Sequence, residues 1–115
     1  MFDAVNPESK RPVGLGCMNM AGEDLYPALD TIIGEVCDVF RSSPYFHIGS
    51  DEVTFGRVSL HPGYKAFLAR HGLKDEYQLA DHFVATVCGL VKKHGKKPIK
   101  WEGLAKVLPS RAGVV

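Results

Sequence analysis

Between Asp24 and Phe40 the apolar residues Leu25, Leu29, Ile32, Ile33, Val36, Val39 and Phe40 recur at three- and four-residue spacing, which predicts an amphipathic helix. Arg41-Ser42-Ser43-Pro44 ends it, because proline pushes the residue before it out of the helical region. The next run, Tyr45-Phe46-His47-Ile48, is apolar and aromatic and predicts a short buried strand. A second helical pattern covers about Glu76 to His94, with Leu79, Phe83, Val84, Val87, Leu90 and Val91 on one face and Gly95 as its C-terminal stop. Pro98-Ile99-Lys100-Trp101 then reads as a further strand. Strands alternating with helices of this length predict an α/β fold with parallel strands.

Candidate chemistry concentrates directly after the first strand. Gly49-Ser50-Asp51-Glu52 places adjacent carboxylates where a strand gives way to a loop, the position at which parallel barrels present their active-site groups. Neighbouring residues on an extended strand point to opposite faces, so both acids reach one ligand only if the backbone turns there. Gly49 allows that turn. Two close carboxylates disfavour double ionisation, which raises the pKa of one and suits it to act as a general acid. An Asp-Glu pair by itself is most often a solvated loop or a helix N-terminus. His47 admits three readings on its residue type alone: a satisfied core group, an acid or base, or a metal ligand. Metal ligation has little support, because no other His or Cys shares a ligand spacing with it. His61, His71, His82 and His94 fall on loop and helix positions that suit solvent or local packing. Trp101, the sole tryptophan, is either a core filler or an aromatic surface at a strand end, and Glu102 beside it is a pocket acid or an exposed loop residue.

The pattern His47-Ile48-Gly49-Ser50-Asp51-Glu52 resembles the His-x-Gly-Gly-Asp-Glu signature of the family 20 glycoside hydrolases, the β-N-acetylhexosaminidases. The departure is Ser50 in place of the second glycine, which bears on the local backbone path more than on the acids. The resemblance extends upstream through Gly14 to Asn19 and Ala21-Gly22-Glu23-Asp24-Leu25-Tyr26, similar to the family's loop after its third strand, and downstream through Tyr64-Lys65-Ala66-Phe67-Leu68 and the second helix. It implies a fragment of a (β/α)8 TIM barrel, with residues 1–115 a partial catalytic domain covering approximately strands 3 to 5 and the intervening helices. It also implies retaining hydrolysis in which the substrate's own acetamido oxygen is the nucleophile, Glu52 is the acid/base, and Asp51 orients the 2-acetamido group. Trp101 would form part of an aromatic wall around the sugar, and His47 would support the acid pair within the substrate-binding set. The implied partner is a carbohydrate, an N-acetylglucosaminide or N-acetylgalactosaminide in a chito-oligosaccharide or glycan, with neither metal nor organic cofactor.

Length changes that picture, since a complete barrel needs about 250 residues and this chain has 115. The remainder of the barrel would be required, and the isolated chain is expected to be inactive, with unpaired edge strands. Both ends read as truncations, including Gly113-Val114-Val115 as the start of another strand. Two other classes stay open: a non-catalytic sugar-binding remnant, and a metal-assisted barrel hydrolase using His47, Asp51 and Glu52 as ligands.

A hydrophobic fraction of 45%, a charged fraction of 23% and a net charge of +1 give no reason to expect nucleic acid or an anionic membrane as partner. No apolar stretch is long enough to span a bilayer and no signal peptide is visible, which leaves the compartment open; the family suits secreted, periplasmic or lysosomal sites. Cys17, Cys37 and Cys88 form no paired motif, and the latter two fall among apolar helix neighbours as buried thiols. Lys92-Lys93-His94-Gly95-Lys96-Lys97 reads as a solvated helix end that complements the macrodipole.

Overall fold

Local hydrogen-bond chemistry sets the bounds of the longest helix. Asp75 Oδ1 accepts the Gln78 N–H at 2.9 Å, and Gln78 Oε1 accepts the Lys74 N–H at 2.9 Å, a reciprocal cap on donors that no helical carbonyl can reach. At the other end Gly95 adopts φ +83°, its N–H donates to Lys92 O at 2.9 Å, and Lys96 N–H donates to Val91 O at 3.1 Å. That is the paired C-terminal closure for which glycine is favoured. The computed structural model describes residues 18–49 and 58–101. In chain order these form α1 (Leu25–Val39), β1 (Tyr45–His47), a 3-10 turn (Val58–Leu60), α2 (Tyr64–His71), α3 (Glu76–Lys93) and β2 (Lys97–Ile99).

β1 and β2 pair in parallel, with Tyr45 opposite Lys97, Phe46 opposite Pro98 and His47 opposite Ile99. The chain between them carries α2 and α3, so the unit is a parallel strand crossover with helices covering one face. Leu25, Ile33 and Cys37 of α1 are buried at helical spacing; Ile33 and Cys37 meet Val87 and Val91 of α3, with Phe46 and Ile48 packed against them. A second cluster gathers Met20, Ala21, Val58, Tyr64, Phe67, Leu68, Leu79 and Ala80. Phe67 and Leu79 are fully buried, each contributing about 1.5–3 kcal/mol of hydrophobic stabilisation. Cys37 and Cys88 are buried free thiols.

The structure corrects three of the expectations. The strand at residues 45–47 is not buried: Tyr45 is 46% exposed, His47 is exposed and Phe46 is half-buried. Only the Phe46 side has helices to pack on. In α1 the apolar positions split, with Ile32, Val39 and Phe40 exposed and the buried stripe running along the face toward α3. Lys96 is buried rather than solvated, and its ammonium donates to Phe40 O at 2.6 Å and to Ser43 O. Lys93 and His94 also have a specific partner, Asp30, at 2.6 and 2.7 Å. No helix among the described residues is long and apolar enough to cross a membrane.

Candidate active site

The C-terminal ends of β1 and β2 bring His47 and Trp101 together. Ile48 N–H donates to Ile99 O at 2.8 Å, and beyond it Trp101 N–H donates to Gly49 O at 2.8 Å. The two chains therefore stay paired past the last strand residues. Gly49 adopts φ +74°, a conformation that side chains with a Cβ rarely take, and the chain turns there directly before Ser50. The Gly49 N–H donates to His47 Nδ1 at 3.0 Å. Since a backbone amide can only donate, Nδ1 is the acceptor and the neutral ring carries its proton on Nε2.

The imidazole of His47 lies 4.9 Å from the Trp101 ring, centroid to centroid, at 51°. Trp101 is 59% exposed among the described residues and leaves a broad apolar surface at the strand ends. His47 also borders a groove of about 260 Å³ that Phe40, Tyr45, Phe46 and Lys96 help to line. Asp51, Glu52, Ser50, Glu102 and Cys17 lie outside the described residues. Asp51 and Glu52 follow Gly49 by two and three residues. Among the described residues no group of three His, Cys, Asp or Glu is arranged to hold a metal ion.

The other histidines act locally. His94 pairs with Asp30, His61 Nδ1 accepts the Gly63 N–H at 3.1 Å, and His71 and His82 pack on Phe67. Sequence reasoning missed the burial of Asn19, whose Oδ1 accepts the Ala21 N–H at 3.3 Å ahead of α1. The tendency of asparagine to bond its own backbone two residues on was the available signal.

Residues 3–112 match the glycosyl hydrolase family 20 catalytic domain. The chain belongs to this family. Among its relatives are a beta-hexosaminidase of Porphyromonas gingivalis, 34% identical over 83 residues that make up 71% of this chain and 11% of that protein, and the beta-hexosaminidase subunit alpha of Mus musculus, 29% identical over 87 residues, 76% of this chain and 16% of that one. Similar solved structures include the GH20 exo beta-N-acetylglucosaminidase from Vibrio harveyi in complex with N-acetylglucosamine, with TM-score 0.66 and 32% identity over 73% of this chain and 13% of that one. The Flavobacterium johnsoniae chitobiase gives TM-score 0.65 and 29% identity, covering 79% of this chain and 13% of the other. This family 20 segment therefore spans between 11% and 16% of the length of these relatives.

Proposed function

We propose that the polypeptide carrying this segment is a β-N-acetylhexosaminidase that removes terminal N-acetylhexosamine residues from β-N-acetylhexosaminides by retaining, substrate-assisted hydrolysis. The observation that carries this reading is the sequence run His47-Ile48-Gly49-Ser50-Asp51-Glu52, whose first residue ends β1 with its ring against the exposed indole of Trp101. Membership of family 20 and the beta-hexosaminidase names of its relatives support it. In this reading residues 1–115 form the part of a (β/α)8 barrel from about strand 3 to strand 5, and the remaining strands complete the pocket.

The chemistry divides between two carboxyl groups. Glu52 protonates the leaving glycosidic oxygen while the acetamido carbonyl oxygen attacks the anomeric carbon, giving an oxazolinium ion. Glu52 then takes a proton from the incoming water. Asp51 accepts the acetamido N–H, holds that group under the anomeric carbon and stabilises the positive charge that develops on it. Trp101 offers an apolar face to the sugar ring, and the N-acetylglucosamine held by the Vibrio harveyi enzyme supports that class of ligand. Neither a metal nor an organic cofactor enters any step.

In the complete enzyme, Glu52→Gln is expected to lower turnover of substrates with poor leaving groups by roughly a hundred- to ten-thousand-fold, the worth of general acid catalysis. Aryl glycosides whose phenol leaves without protonation lose less in their cleavage step. Near-normal turnover on poor leaving groups removes Glu52 from the acid role.

A further inference from the structure

We propose that His71 and His82 form a pH-sensitive latch that holds α2 against α1 and α3 while at most one of the two rings is charged, and releases α2 when both are. The cluster lies where three helices meet and takes no part in the proposed chemistry. Tyr26 of α1, Phe67 and His71 of α2, and His82 of α3 pack ring to ring. Centroid to centroid, Tyr26 stacks on Phe67 at 6.0 Å, Phe67 lies 4.3 Å from His71 and 5.7 Å from His82, and the two imidazoles are 4.6 Å apart. Such a cluster tolerates one cation, which the face of an aromatic ring attracts. Two cations at that spacing repel, and a half-buried site screens them poorly.

The surrounding charges divide the two rings. Glu23, in the turn before α1, lies 3.8 Å from His71 Nε2 and is bound to Arg70 at 2.6 Å. A single proton shared by the pair therefore sits on His71, the ring that faces this carboxylate. Burial and the His71 charge both oppose a proton on His82, and Glu23 offsets them only in part. Tyr26 adds no charge, because burial holds its phenol well above the usual range and its hydroxyl donates to Met20 O at 2.6 Å. On α3, Asp81 beside His82 feels the charge of Asp75 rather than the rings. The first proton thus ties α2 to the start of α1, and the second disrupts the ring cluster that seats α2. With eight residues, of which Tyr64, Phe67 and Leu68 are buried, α2 is too short to persist without that packing. Opening frees His82 to bind its proton near the ordinary value of about 6.5, so the open form gains as pH falls below it.

Hydrogen exchange of the full polypeptide between pH 7 and pH 5, read at peptides covering α2 and corrected for the intrinsic pH dependence of exchange, tests the latch. α2 is expected to lose protection over that range with little dependence on low urea concentrations, the mark of a local opening. The loss should shrink in His71→Gln, which removes the repelling charge, disappear in His82→Phe, which keeps a ring in the cluster, and deepen in Glu23→Gln. The His82 imidazole resonance should titrate at higher pH in His71→Gln than in the parent, and at lower pH in Glu23→Gln. An equal loss in the parent and His71→Gln, an α2 loss that grows with urea as that of α1 does, or a His82 titration unmoved by either substitution overturns the latch. Should His82→Phe not fold, His71→Gln, at a partly exposed position, still decides.

Discussion

His82 sits half-buried against Phe67 and Tyr26, with the His71 ring 4.6 Å away. Burial first, and the neighbouring His71 second, hold its pKa below the usual imidazole value, while Glu23 pulls the other way. Glu23 is itself bound to Arg70 at 2.6 Å and lies 3.8 Å from His71, so its charge is shared among three groups. The unfolded chain protonates His82 near pH 6.5 and the folded chain only at lower pH. The unfolded state therefore binds the proton first, and stability is present above about pH 6.5 and lost as pH falls toward the folded pKa. Thermal melts from pH 7 to pH 5 should show a fall in Tm that is shallower in His82→Gln than in the parent; an equal or steeper fall in the variant contradicts the assignment. Asp30 behaves in the same direction in a more acidic window, since hydrogen bonds from Lys93 and His94 hold its carboxyl below the usual range.

At the scale of the elements, α1 and α3 were legible in the sequence to within one residue at each end, whereas α2 was not read as a helix. The reason is local: Pro44, Gly95 and the Asp75–Gln78 cap act within a few residues of the ends they define. Burial along those elements was less legible, because it depends on what the rest of the chain supplies. Lys96 is the clearest case. Its acceptors, Phe40 O and Ser43 O, lie 56 and 53 residues away in sequence, and nothing in a run of lysines marks which one turns inward. By reaching them it ties the turn after α3 to the loop between α1 and β1, beside the Lys97 N–H bond to Pro44 O. Lys96→Ala strands two carbonyls that the ammonium now satisfies, at a cost of about 1–3 kcal/mol. A urea midpoint equal to that of the parent chain contradicts a structural role for this lysine, and a midpoint shift larger than that of Lys97→Ala, an exposed neighbour, supports it.

Across the whole molecule, the candidate site was legible as a motif and only half of it as a geometry. His47 and Trp101 were singled out by the resemblance to family 20, residue type alone leaving both open, and the structure brings their rings together although 54 residues separate them in sequence. The hydrogen bond from Gly49 to His47 was not foreseen, because it requires the positive φ at Gly49 to bring an amide back onto its own strand. Tyr45, Val39 and Phe40 leave apolar surface exposed on β1 and at the end of α1, and the segment spans 11% to 16% of its relatives. The proposed chemistry turns on the acetamido group. The most direct measurement compares hydrolysis of an aryl β-N-acetylglucosaminide with that of the matching aryl β-glucoside by the complete enzyme and by its Asp51→Ala variant. The account predicts a strong preference for the acetamido sugar in the parent and the loss of most of that preference in the variant, whereas equal rates on the two sugars in the parent, or an undiminished preference in Asp51→Ala, would contradict it.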